Sequence, residues 1–399
     1  MTLDTIAVVG ASLAGLRGVE TLRRSGYAGR IVWIGAEPHL PYDRPPLSKE
    51  LLRGTWEPER ISLRKDGLAA LEADLRLGVR AIALDVGERR VSLDDGSQVA
   101  YDGLLIATGA QPRALPGAPD LEGIHLLRTL DDALALRRAF ATGPRVCVVG
   151  AGFIGAEVAA SARSLGLDVT LVELLEAPCV RGLGARLGAL LADVHRDHGV
   201  DLRLGTGVDA IEGERRVERV RLSDGTALAA DLVVVGIGVA PATDWLRGSG
   251  LELDNGVVCD ASCAAAPGVV AAGDVARWTN PLFGRSMRVE HWSNAVEQGV
   301  HAAGRLLVGD AEARPFAPVP SFWSDQYDCR IQSAGAPGPD DELRVVAGSL
   351  EERRFVALLG SAGRLTGALA WNRARDLIPY RKLLAQGGSW DEALAASGG

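Results

Sequence analysis

The stretch "RVCVVGAGFIGAEVAASARSLGLDVTLVE" (residues 145–173) decides the fold of this chain. Its first apolar run, 146–149, is typical of a buried parallel strand. A helix pattern then continues to about Leu165, and a second apolar run ends in Glu173. Between the strand and the helix lies an intact G-x-G-x-x-G, formed by Gly150, Gly152 and Gly155. A strand, a glycine loop, a helix and a terminal acid in this order form the dinucleotide-binding fingerprint.

The acid at the end of this unit indicates which dinucleotide binds. Glu173 comes 23 residues after Gly150, close to the roughly 20 residues expected for a carboxylate that accepts ribose hydroxyls. A carboxylate there repels a 2′-phosphate, and the next residues, "LLEAP", offer no arginine to bind one. The helix N-terminus directs free N–H groups at a pyrophosphate. We therefore expect NADH rather than NADPH at this site.

A second copy of the unit lies near the beginning of the chain. "TIAVVGASLAGLRGVETLRRSGY" (residues 5–27) contains the apolar run 6–9 and a helix pattern that continues through Ser25. The next apolar run ends in Glu37, whose carboxylate can accept both hydroxyls of an adenosine ribose. The glycine loop carries serine at the middle position of the motif, in the order Gly10, Ser12 and Gly15. The chain is therefore expected to hold two dinucleotides.

Two complete sites in one chain indicate one dinucleotide that is bound permanently and one that visits. The segments "LLIATGA" (104–110) and "LVVVGIGVAPAT" (232–243) are apolar strands that end in small residues. They flank the second fingerprint, as two crossings between domains would. A further strand pattern, "GVVAAGDVA" (268–276), contains Gly273 and Asp274. The aspartate is placed to hold a ribityl hydroxyl or a pyrophosphate-linked water.

The composition excludes several other classes of protein. With 399 residues and 47% hydrophobic residues, the chain is long enough for two or three globular domains. No apolar run reaches the about 18 residues of a membrane span, and no secretion signal precedes the first strand, so we expect a cytoplasmic protein. A net charge of −8 argues against broad nucleic-acid binding, because a phosphate backbone requires a basic surface.

Neither the cysteines nor the histidines form an obvious site. The chain has five cysteines, and the C-x3-C spacing of Cys259 and Cys263 fits neither a redox pair nor a zinc knuckle. We expect five buried or inert thiols. His195 and His198 have the i,i+3 spacing of a helical metal pair, but no third ligand stands nearby in the sequence. We interpret them as part of a solvated helix face, and we expect no metal.

A lysine in an unusual segment raises a separate question. In "PYDRPPLSKELL" (residues 41–52), the adjacent Pro45 and Pro46 prevent a regular helix or a paired strand. Lys49 is one of only three lysines in a chain with 43 lysines and arginines in total. From the residues alone, two interpretations stay open. Lys49 is either a solvent-facing residue, or a lysine that a functional site requires.

A series of segments then points to one family. In chain order they are "GASLAG", "PYDRPPLSK", "LLIATGA", "LLRTLDDA", "VVGAGFIGAEVAA", "VGIGVAP", "AAGDVA" and "EHWSNAVEQG". Together they resemble the FAD-dependent ferredoxin reductases of the putidaredoxin reductase and rhodocoxin reductase type, which include the reductase components of Rieske dioxygenases. The resemblance covers residues 6 to about 330, and "FWSDQY" and "WNRARDLIPYRKLL" are similar to the family's third domain. Apoptosis-inducing factor and monodehydroascorbate reductase share the wider fold.

This resemblance implies an α/β fold with the architecture of glutathione reductase. Two Rossmann-like domains, one for FAD and one for NADH, are followed by a C-terminal α+β domain. The NADH-binding domain is inserted into the FAD-binding domain. The expected boundaries are 1–108 and 236–315 for the FAD-binding domain, 109–235 for the NADH-binding domain, and 316–399 for the C-terminal domain.

The resemblance also gives Lys49 a role. The family's lysine lies beside the flavin ring and pairs with a glutamate on the second fingerprint helix, which here is Glu157. A compact ammonium there stabilises the negative charge that the flavin gains on reduction. A flat guanidinium would compete with the nicotinamide for space. The glutamate keeps the ammonium from being an unpaired buried charge, and Arg44 is expected to contact the FAD phosphate or ribose.

Further cofactor positions are carried over one by one. Trp292 is expected at the far side of the flavin, near the surface that faces an acceptor. Arg181 is a weaker candidate for an NADH contact, because a role in a surface salt bridge accounts for it equally well. The other implied NADH contacts are Ile154, Glu173 and Gly238. The implied FAD contacts are Ala14 and Ala81 at the adenosine, Arg128 at the phosphates, Asp274 at ribityl or phosphate oxygens, and Ala107, Thr108, Gly109 and Gly273 as further cofactor-binding positions.

The implied reaction is hydride transfer from NADH to FAD, followed by single-electron transfers to a [2Fe–2S] ferredoxin that feeds a cytochrome P450 or a Rieske oxygenase. Disulfide reductases share the fold, but they need cysteine after the FAD acid, where this chain has "RPPLSK" (44–49). The alternatives are an NADH reductase of rubredoxin, quinone or monodehydroascorbate, or a redox-responsive binding flavoprotein like apoptosis-inducing factor.

The expected docking surface for the ferredoxin is a local one. Such carriers are usually acidic, whereas this chain is net negative, so we expect a basic patch. The densest candidate near the C-terminus is "WNRARDLIPYRK" (371–382). We expect Arg277, Arg285 and Arg288 to extend this patch.

Overall fold

The structure, a computed structural model, describes residues 3–396. Its strands, numbered β1 to β27 in chain order, are Thr5–Val9, Arg30–Gly35, Asp74–Leu77, Ala81–Asp85, Arg90–Leu93, Gln98–Ala100, Gly103–Ile106, Ala110–Pro112, Ile124–His125, Val146–Val149, Val169–Glu173, Asp201–Leu204, Val208–Glu212, Arg219–Leu222, Ala227–Ala229, Leu232–Val235, Val239–Pro241, Val257–Cys259, Ala264–Ala266, Val269–Ala271, Ala276–Asn280, Arg285–Met287, Ser321–Gln326, Cys329–Gly335, Glu342–Ser349, Arg354–Ser361 and Arg364–Trp371.

The helices are fewer and mostly short. The α-helices α1 to α7 are Leu13–Arg24, Leu130–Phe140, Phe153–Ser164, Val180–Asp197, Trp292–Val308, Ile378–Ala385 and Trp390–Ala395. The short 3-10 helices are Pro45–Ser48, Pro58–Ile61, Ala69–Leu71, Asp244–Leu246, Gly273–Val275, Asp310–Glu312 and Ala374–Leu377. None of the helices within residues 3–396 is long and apolar enough to cross a membrane.

The first fingerprint forms the centre of a six-stranded sheet with the strand order β19-β20-β7-β1-β2-β3. Strand β1 pairs in parallel with both β2 and β7. Helix α1 follows β1 and packs against α5. The core at this sheet contains the fully buried side chains of Ile6, Val8, Leu16, Ile31 and Trp33. The two apolar runs around the first glycine loop therefore form central, buried strands, as predicted.

The second fingerprint repeats this arrangement in a five-stranded sheet with the order β12-β11-β10-β16-β9. All four strand pairings in it are parallel. Strand β10 coincides with the predicted run 146–149, and β11 ends at Glu173 as predicted. Helix α3 connects these two strands and packs on both of them.

Close backbone approach explains the glycines of both loops. Gly10 has φ +121, and a Cβ there would lie 2.1 Å from the backbone oxygen of Ala107. A Cβ on Gly15 would lie 1.9 Å from the Gly10 oxygen. The second loop repeats this contact, since a Cβ on Gly155 would lie 2.0 Å from the Gly150 oxygen. No side chain fits where strand, loop and helix meet.

Two antiparallel segments connect the parallel sheets. Strand β8 follows β7 of the first sheet, strand β17 follows β16 of the second sheet, and β8 pairs with β17. Strand β17 lies within the predicted crossing 232–243, and β8 begins at the last residue of the predicted crossing 104–110. Three small sheets, β4-β5-β6, β13-β14-β15 and β18-β21-β22, complete this part of the chain.

The C-terminal part forms a five-stranded antiparallel sheet with the order β23-β24-β27-β26-β25. Leu187 and Leu191 of α4 share a buried cluster with Ile331 and Trp371 of this sheet. Helices α6 and α7 contribute to a second cluster with strands β26 and β27. Two parallel sheets with glycine-loop units and a separate α+β unit confirm the predicted fold class.

The interpretation of His195 as part of a solvated helix face is wrong. Its side chain has 0% exposed surface, although it lies on the long helix α4. The imidazole is hydrogen-bonded to Gln326 and Tyr327, which belong to the end of β23 and the turn after it. His198 is half-buried and stacks on the Tyr327 ring, with the ring centroids 3.8 Å apart. The C-terminal sheet therefore covers the face of α4 that was predicted to be exposed to solvent.

Candidate functional site

Lys49 lies in the interior of the protein. It follows the 3-10 helix Pro45–Ser48, and only 6% of its surface is exposed. Its Nζ lies 2.5 Å from Oε2 of Glu157, whose residue is 3% exposed. Glu157 is on α3, directly after the second glycine loop. The interpretation of Lys49 as a solvent-facing residue is therefore excluded.

Further polar groups satisfy the carboxylate of Glu157. Ser48 donates its hydroxyl to Oε2 at 2.5 Å, and Ser324 donates to Oε1 at 2.7 Å. A buried ion pair is tolerated only when its remaining lone pairs and protons are hydrogen-bonded. Ser324 is on β23 and was missed from the sequence, although Ser324 and Gln326 alternate in "FWSDQ" as residues on one face of a strand do.

The acid of the first fingerprint is surrounded by two side chains of the "PYDR" segment. Arg44 Nη2 lies 2.6 Å from Glu37 Oε1, and the Tyr42 hydroxyl donates to Oε2 at 2.5 Å. Arg44 Nη1 also donates to the backbone oxygen of Arg128 at 2.6 Å. Burial raises the pKa of Tyr42, so its hydroxyl remains a donor at neutral pH. Tyr42 was not predicted as a site residue, and it contacts two residues that were.

Arg128 and Asp274, both predicted to contact FAD, come together as an ion pair. Arg128 Nη2 lies 2.9 Å from Asp274 Oδ2, although the residues are 146 positions apart. Asp274 lies in the 3-10 helix Gly273–Val275, and the backbone N–H of Gly273 donates to Gln298 Oε1 at 2.9 Å. A Cβ added at Gly273 would lie 3.2 Å from the Cβ of Ala14, which places the first fingerprint helix beside this pair.

The remaining predicted FAD positions include Thr108, Gly109 and Ala81. Thr108 donates its hydroxyl to the backbone oxygen of Ala242 at 3.0 Å. A Cβ on Gly109 would lie 3.5 Å from Arg128 Nη2. Ala81 begins β4 and is buried. The chain just before Ala81 runs beside Glu37, since the Gly78 N–H donates to the backbone oxygen of Glu37 at 3.0 Å.

Trp292 begins α5 and is half-buried. Its Nε1 donates to Asp43 Oδ1 at 2.7 Å, and its ring meets that of Trp323 edge-on at 6.0 Å between centroids. Burial raises the pKa of Asp43, while the bond from Trp292 and the charge of Lys49 lower it. Asp43 and Trp323 were not predicted. Asp43 lies next to the predicted Arg44, and Trp323 lies in the segment "FWSDQY", from which no site residue was predicted.

The second glycine loop leaves space for a ligand. Apart from Gly152 itself and the chain next to it, no heavy atom of residues 3–396 lies within 4 Å of a Cβ placed on Gly152, which is the N-cap of helix α3. Ile154 beside it is 49% exposed, an unusual exposure for a large apolar side chain. Gly238, with φ +97, has the same free space. An open helix N-terminus lined by small residues fits a dinucleotide pyrophosphate.

Glu173 lies at the end of β11, beside this open loop. Its Oε2 accepts the backbone N–H of Ala151 at 2.6 Å, and Oε1 accepts that of Leu175 at 3.0 Å. These two bonds orient the carboxylate and leave further lone pairs for ribose hydroxyls. Arg181 is exposed in the first turn of α4.

The cysteines do not form a reactive site. All five lie within the described residues, where they are buried and unpaired. Burial raises the pKa of Cys147 to about 12 and that of Cys329 to about 11, so neither thiol is a nucleophile at neutral pH. Within residues 3–396, no group of three or more histidine, cysteine, aspartate or glutamate side chains could hold a metal ion.

The expected extension of the basic patch is wrong at Arg288, and at Arg277 an ion pair offsets the charge. Arg288 is nearly buried, donates to the Asp274 backbone oxygen and pairs with Glu290 at 2.6 Å. Arg277 forms an ion pair with Asp254. Arg288 is therefore engaged by Glu290, two residues away in the sequence, and by the Asp274 backbone, which folding brings near it, whereas the pair of Arg277 with Asp254 lies at the surface. Arg285 remains exposed.

Within residues 371–382, the cations differ in their availability. Arg373 is half-buried and pairs with Asp376 at 2.5 Å. The exposed cations are Arg375, Arg381 and Lys382. Glu297 of α5 lines a shallow surface groove together with Ile378, Arg381 and Lys382. The patch therefore adjoins the helix that begins at Trp292.

Two glycine-loop units in one chain, with a buried pair of Lys49 and Glu157 that joins the segment after the first acid to the helix of the second unit, are the features of an oxidoreductase that moves electrons between two dinucleotides. The chain belongs to the pyridine nucleotide-disulphide oxidoreductase family, which matches residues 4–299, and its residues 321–398 match the reductase C-terminal family.

The relatives of this chain indicate a more specific group within this family. The chain is 39% identical to the anthranilate 1,2-dioxygenase system ferredoxin–NAD(+) reductase component of Burkholderia cepacia, over 97% of this chain and 95% of the relative. It is 38% identical to rhodocoxin reductase of Rhodococcus erythropolis, over 96% and 89% of the two chains. Among solved structures, the covalent putidaredoxin reductase–putidaredoxin complex matches with a TM-score of 0.91 and 34% identity, over 96% of this chain and 93% of that chain.

Proposed function

We propose that this protein is an NADH-dependent ferredoxin reductase, with FAD at the first fingerprint and NADH at the second. The observation that carries this proposal is the buried Lys49–Glu157 pair between the two fingerprints. The segment 44–49 after the FAD acid has no cysteine, so electrons cannot leave through a disulfide there. A one-electron carrier is the remaining acceptor class that matches the relatives, which are named as ferredoxin reductases.

The residues of the first fingerprint fit FAD. Helix α1 begins at Leu13 with no acidic residue in its first turn and no side-chain cap from Ser12, so its N-terminal N–H groups are available for a pyrophosphate. Arg44, whose Nε lies 3.4 Å from Ser12 Oγ, and the neighbouring Arg128–Asp274 pair supply charges beside this loop. When bound, FAD accepts a hydride from NADH and passes the two electrons on singly.

Lys49 would supply an ammonium to a bound flavin. Its charge would favour the negative charge that a flavin gains on reduction, and Glu157 fixes the position of the ammonium. Four hydrogen bonds hold the pair, since Lys49 donates to Glu157 and to Ser48, and both Ser48 and Ser324 donate to the Glu157 carboxylate. A lysine meets this requirement because its charge is compact and its stem is narrow.

The carboxylate of Glu173 accounts for the choice of NADH. Its two backbone bonds hold it at the edge of the open loop, where it accepts ribose hydroxyls and repels a 2′-phosphate. Ile154 and Gly238 then border the bound dinucleotide. Arg181 is exposed nearby in sequence and is a weaker contact of the same ligand.

We propose the domain boundaries 1–108 and 236–315 for FAD, 109–235 for NADH, and 316–399 for the C-terminal domain. The antiparallel pair β8–β17 supports the two inner boundaries, since it lies between the two parallel sheets. Residues 1–2 and 397–399 of the outer domains lie outside the described residues.

We further propose that the protein works in the cytoplasm, and that its ferredoxin feeds a Rieske oxygenase or a cytochrome P450. Relatives named as components of dioxygenase systems support the first kind of oxygenase. The unpaired cysteines fit a reducing compartment. The same compartment supplies NADH.

Comparison of electron carriers tests the function. NADH-dependent reduction of cytochrome c is measured alone, with a [2Fe–2S] ferredoxin, and with a rubredoxin. We expect the [2Fe–2S] carrier to raise the rate far more than the rubredoxin does. Equal stimulation by both carriers, or none by the ferredoxin, would contradict the proposal.

A further inference from the structure

A buried chain of polar side chains extends from the Lys49–Glu157 pair into the C-terminal domain. The second oxygen of Glu157 accepts the hydroxyl of Ser324 at 2.7 Å. Ser324 Oγ accepts the side-chain N–H of Gln326 at 3.1 Å. The Gln326 oxygen lies 3.0 Å from His195 Nε2. Three distant parts of the sequence, helix α3, strand β23 and helix α4, therefore meet in one hydrogen-bonded chain.

All members of this chain are shielded from solvent. Ser324 and His195 are 0% exposed, and Gln326 is 1% exposed. A buried polar group left without a partner is destabilising, so each bond in the chain constrains the next. Burial lowers the pKa of His195 to about 4, and its imidazole is therefore neutral at neutral pH.

The carboxylate fixes the direction of every bond. Glu157, paired with the Lys49 ammonium, accepts, so Ser324 must donate its only proton to it. Ser324 then accepts from the Gln326 amide nitrogen, which turns the Gln326 oxygen towards α4. That oxygen requires a donor, and His195 Nε2–H is the group that faces it. Nδ1 of His195 is left as the acceptor for the Tyr327 hydroxyl at 3.2 Å.

We propose that His195 is a positioning residue for the Lys49–Glu157 pair, acting through Gln326 and Ser324. The chain holds Oε1 of Glu157, which leaves Oε2 facing Lys49 Nζ at 2.5 Å. Without the donor at position 195, the Gln326 amide loses its fixed orientation and Ser324 loses its fixed acceptor role. The carboxylate can then rotate away from the ammonium. This inference rests on the proposed function for the purpose of that pair.

A comparison of variants separates positioning from packing. His195→Leu removes the donor and keeps an apolar side chain of similar volume, whereas His195→Gln keeps an N–H at the position of Nε2. Ser324→Ala breaks the chain next to Glu157. Ser333→Ala, at a buried serine on the neighbouring strand β24, is the matched control.

The low lysine content of the chain provides the readout. Lysine labelled with 15N and 13C gives signals from only Lys49, Lys65 and Lys382, and Lys49→Met identifies the first of them. In the FAD-loaded protein we expect the Lys49 side-chain resonance to shift and broaden in His195→Leu and in Ser324→Ala. It should keep its position in His195→Gln and in Ser333→Ala.

The reduction of the flavin by NADH is measured in the same variants. We expect about tenfold slower reduction in His195→Leu and Ser324→Ala, the effect of one hydrogen bond to a charged group, and recovery in His195→Gln. An unchanged Lys49 resonance in His195→Leu or Ser324→Ala overturns the positioning role. A shifted resonance with an unchanged reduction rate supports that role and contradicts the proposed function of the pair instead.

Discussion

At the residue scale, the site divides into contacts within known motifs and contacts between distant segments. The choice of Lys49 and Glu157 came from motif resemblance, and the structure places their charged atoms 2.5 Å apart. Tyr42 and Ser324, which satisfy the two acids, could not be predicted in the same way. Their roles depend on hydrogen bonds that only the folded chain creates, over 167 residues in the case of Ser324.

Replacement of Lys49 by methionine tests the role of the ammonium. The variant should keep its FAD, because the first fingerprint is untouched. Flavin reduction by NADH should slow by at least about tenfold, since a fixed charge at a developing charge contributes more than about 1.4 kcal/mol. Anaerobic stopped-flow absorbance of the flavin measures this rate. A native rate in the FAD-loaded variant would remove Lys49 from the reaction.

Replacement of Glu173 by alanine tests the choice of nicotinamide dinucleotide. The variant loses the acceptor for the ribose hydroxyls and the repulsion of a 2′-phosphate. Hydrogen bonds to charged groups contribute about 1.5–3 kcal/mol, so the preference for NADH over NADPH should fall at least about tenfold. The ratio of kcat/KM for the two dinucleotides checks this. An unchanged ratio would show that another residue recognises the ribose.

At the element scale, the two glycine-loop units were predicted closely, because their pattern is local and their period is regular. The buried face of α4 was misread. His195 comes four residues after Leu191, and Leu187 precedes Leu191 by four, so all three lie on one stripe of the helix. The helical spacing of the leucines was the available signal for the burial of His195. The sheet that covers this stripe lies more than a hundred residues later.

Two glycines of the second loop provide a matched pair of substitutions. Gly155→Ala forces a Cβ to 2.0 Å from the Gly150 oxygen and should destabilise the protein by about 1–3 kcal/mol, as overpacking does. Gly152→Ala has free space and φ −67, so its Tm should stay near that of the parent. Its KM for NADH should rise, because the added methyl group enters the ligand's space. Tm and KM are measured on both variants, and the reverse pattern would contradict the assignment of the loop.

At the scale of the whole molecule, motif order predicted the family, and composition limited the partners. The net charge of −8 hides a local patch of exposed cations at Arg375, Arg381 and Lys382. Arg288 does not extend that patch, since it is nearly buried and pairs with Glu290, and the charge of Arg277 is offset by Asp254, which folding brings near it. Surface charge in a folded protein depends on which side chains are already paired, and sequence position does not reveal this.

Charge reversal in the patch tests where the ferredoxin docks. Arg375→Glu with Lys382→Glu should raise the KM for ferredoxin and flatten its dependence on salt, since electrostatic steering acts mainly on association. Reduction of ferricyanide should hardly change. Arg138→Glu with Arg247→Glu, at exposed positions elsewhere, is the control with the same change in net charge. Native ferredoxin kinetics at low salt in the patch variant would place docking on another surface.

The most direct test of the central claim is an anaerobic titration of the FAD-loaded protein with NADH, followed by addition of an oxidised [2Fe–2S] ferredoxin. We predict that NADH bleaches the flavin absorbance, and that the ferredoxin restores it with two ferredoxins reduced for each NADH consumed. A flavin that NADH does not bleach, or that only oxygen restores, would contradict the assignment of this chain as a ferredoxin reductase.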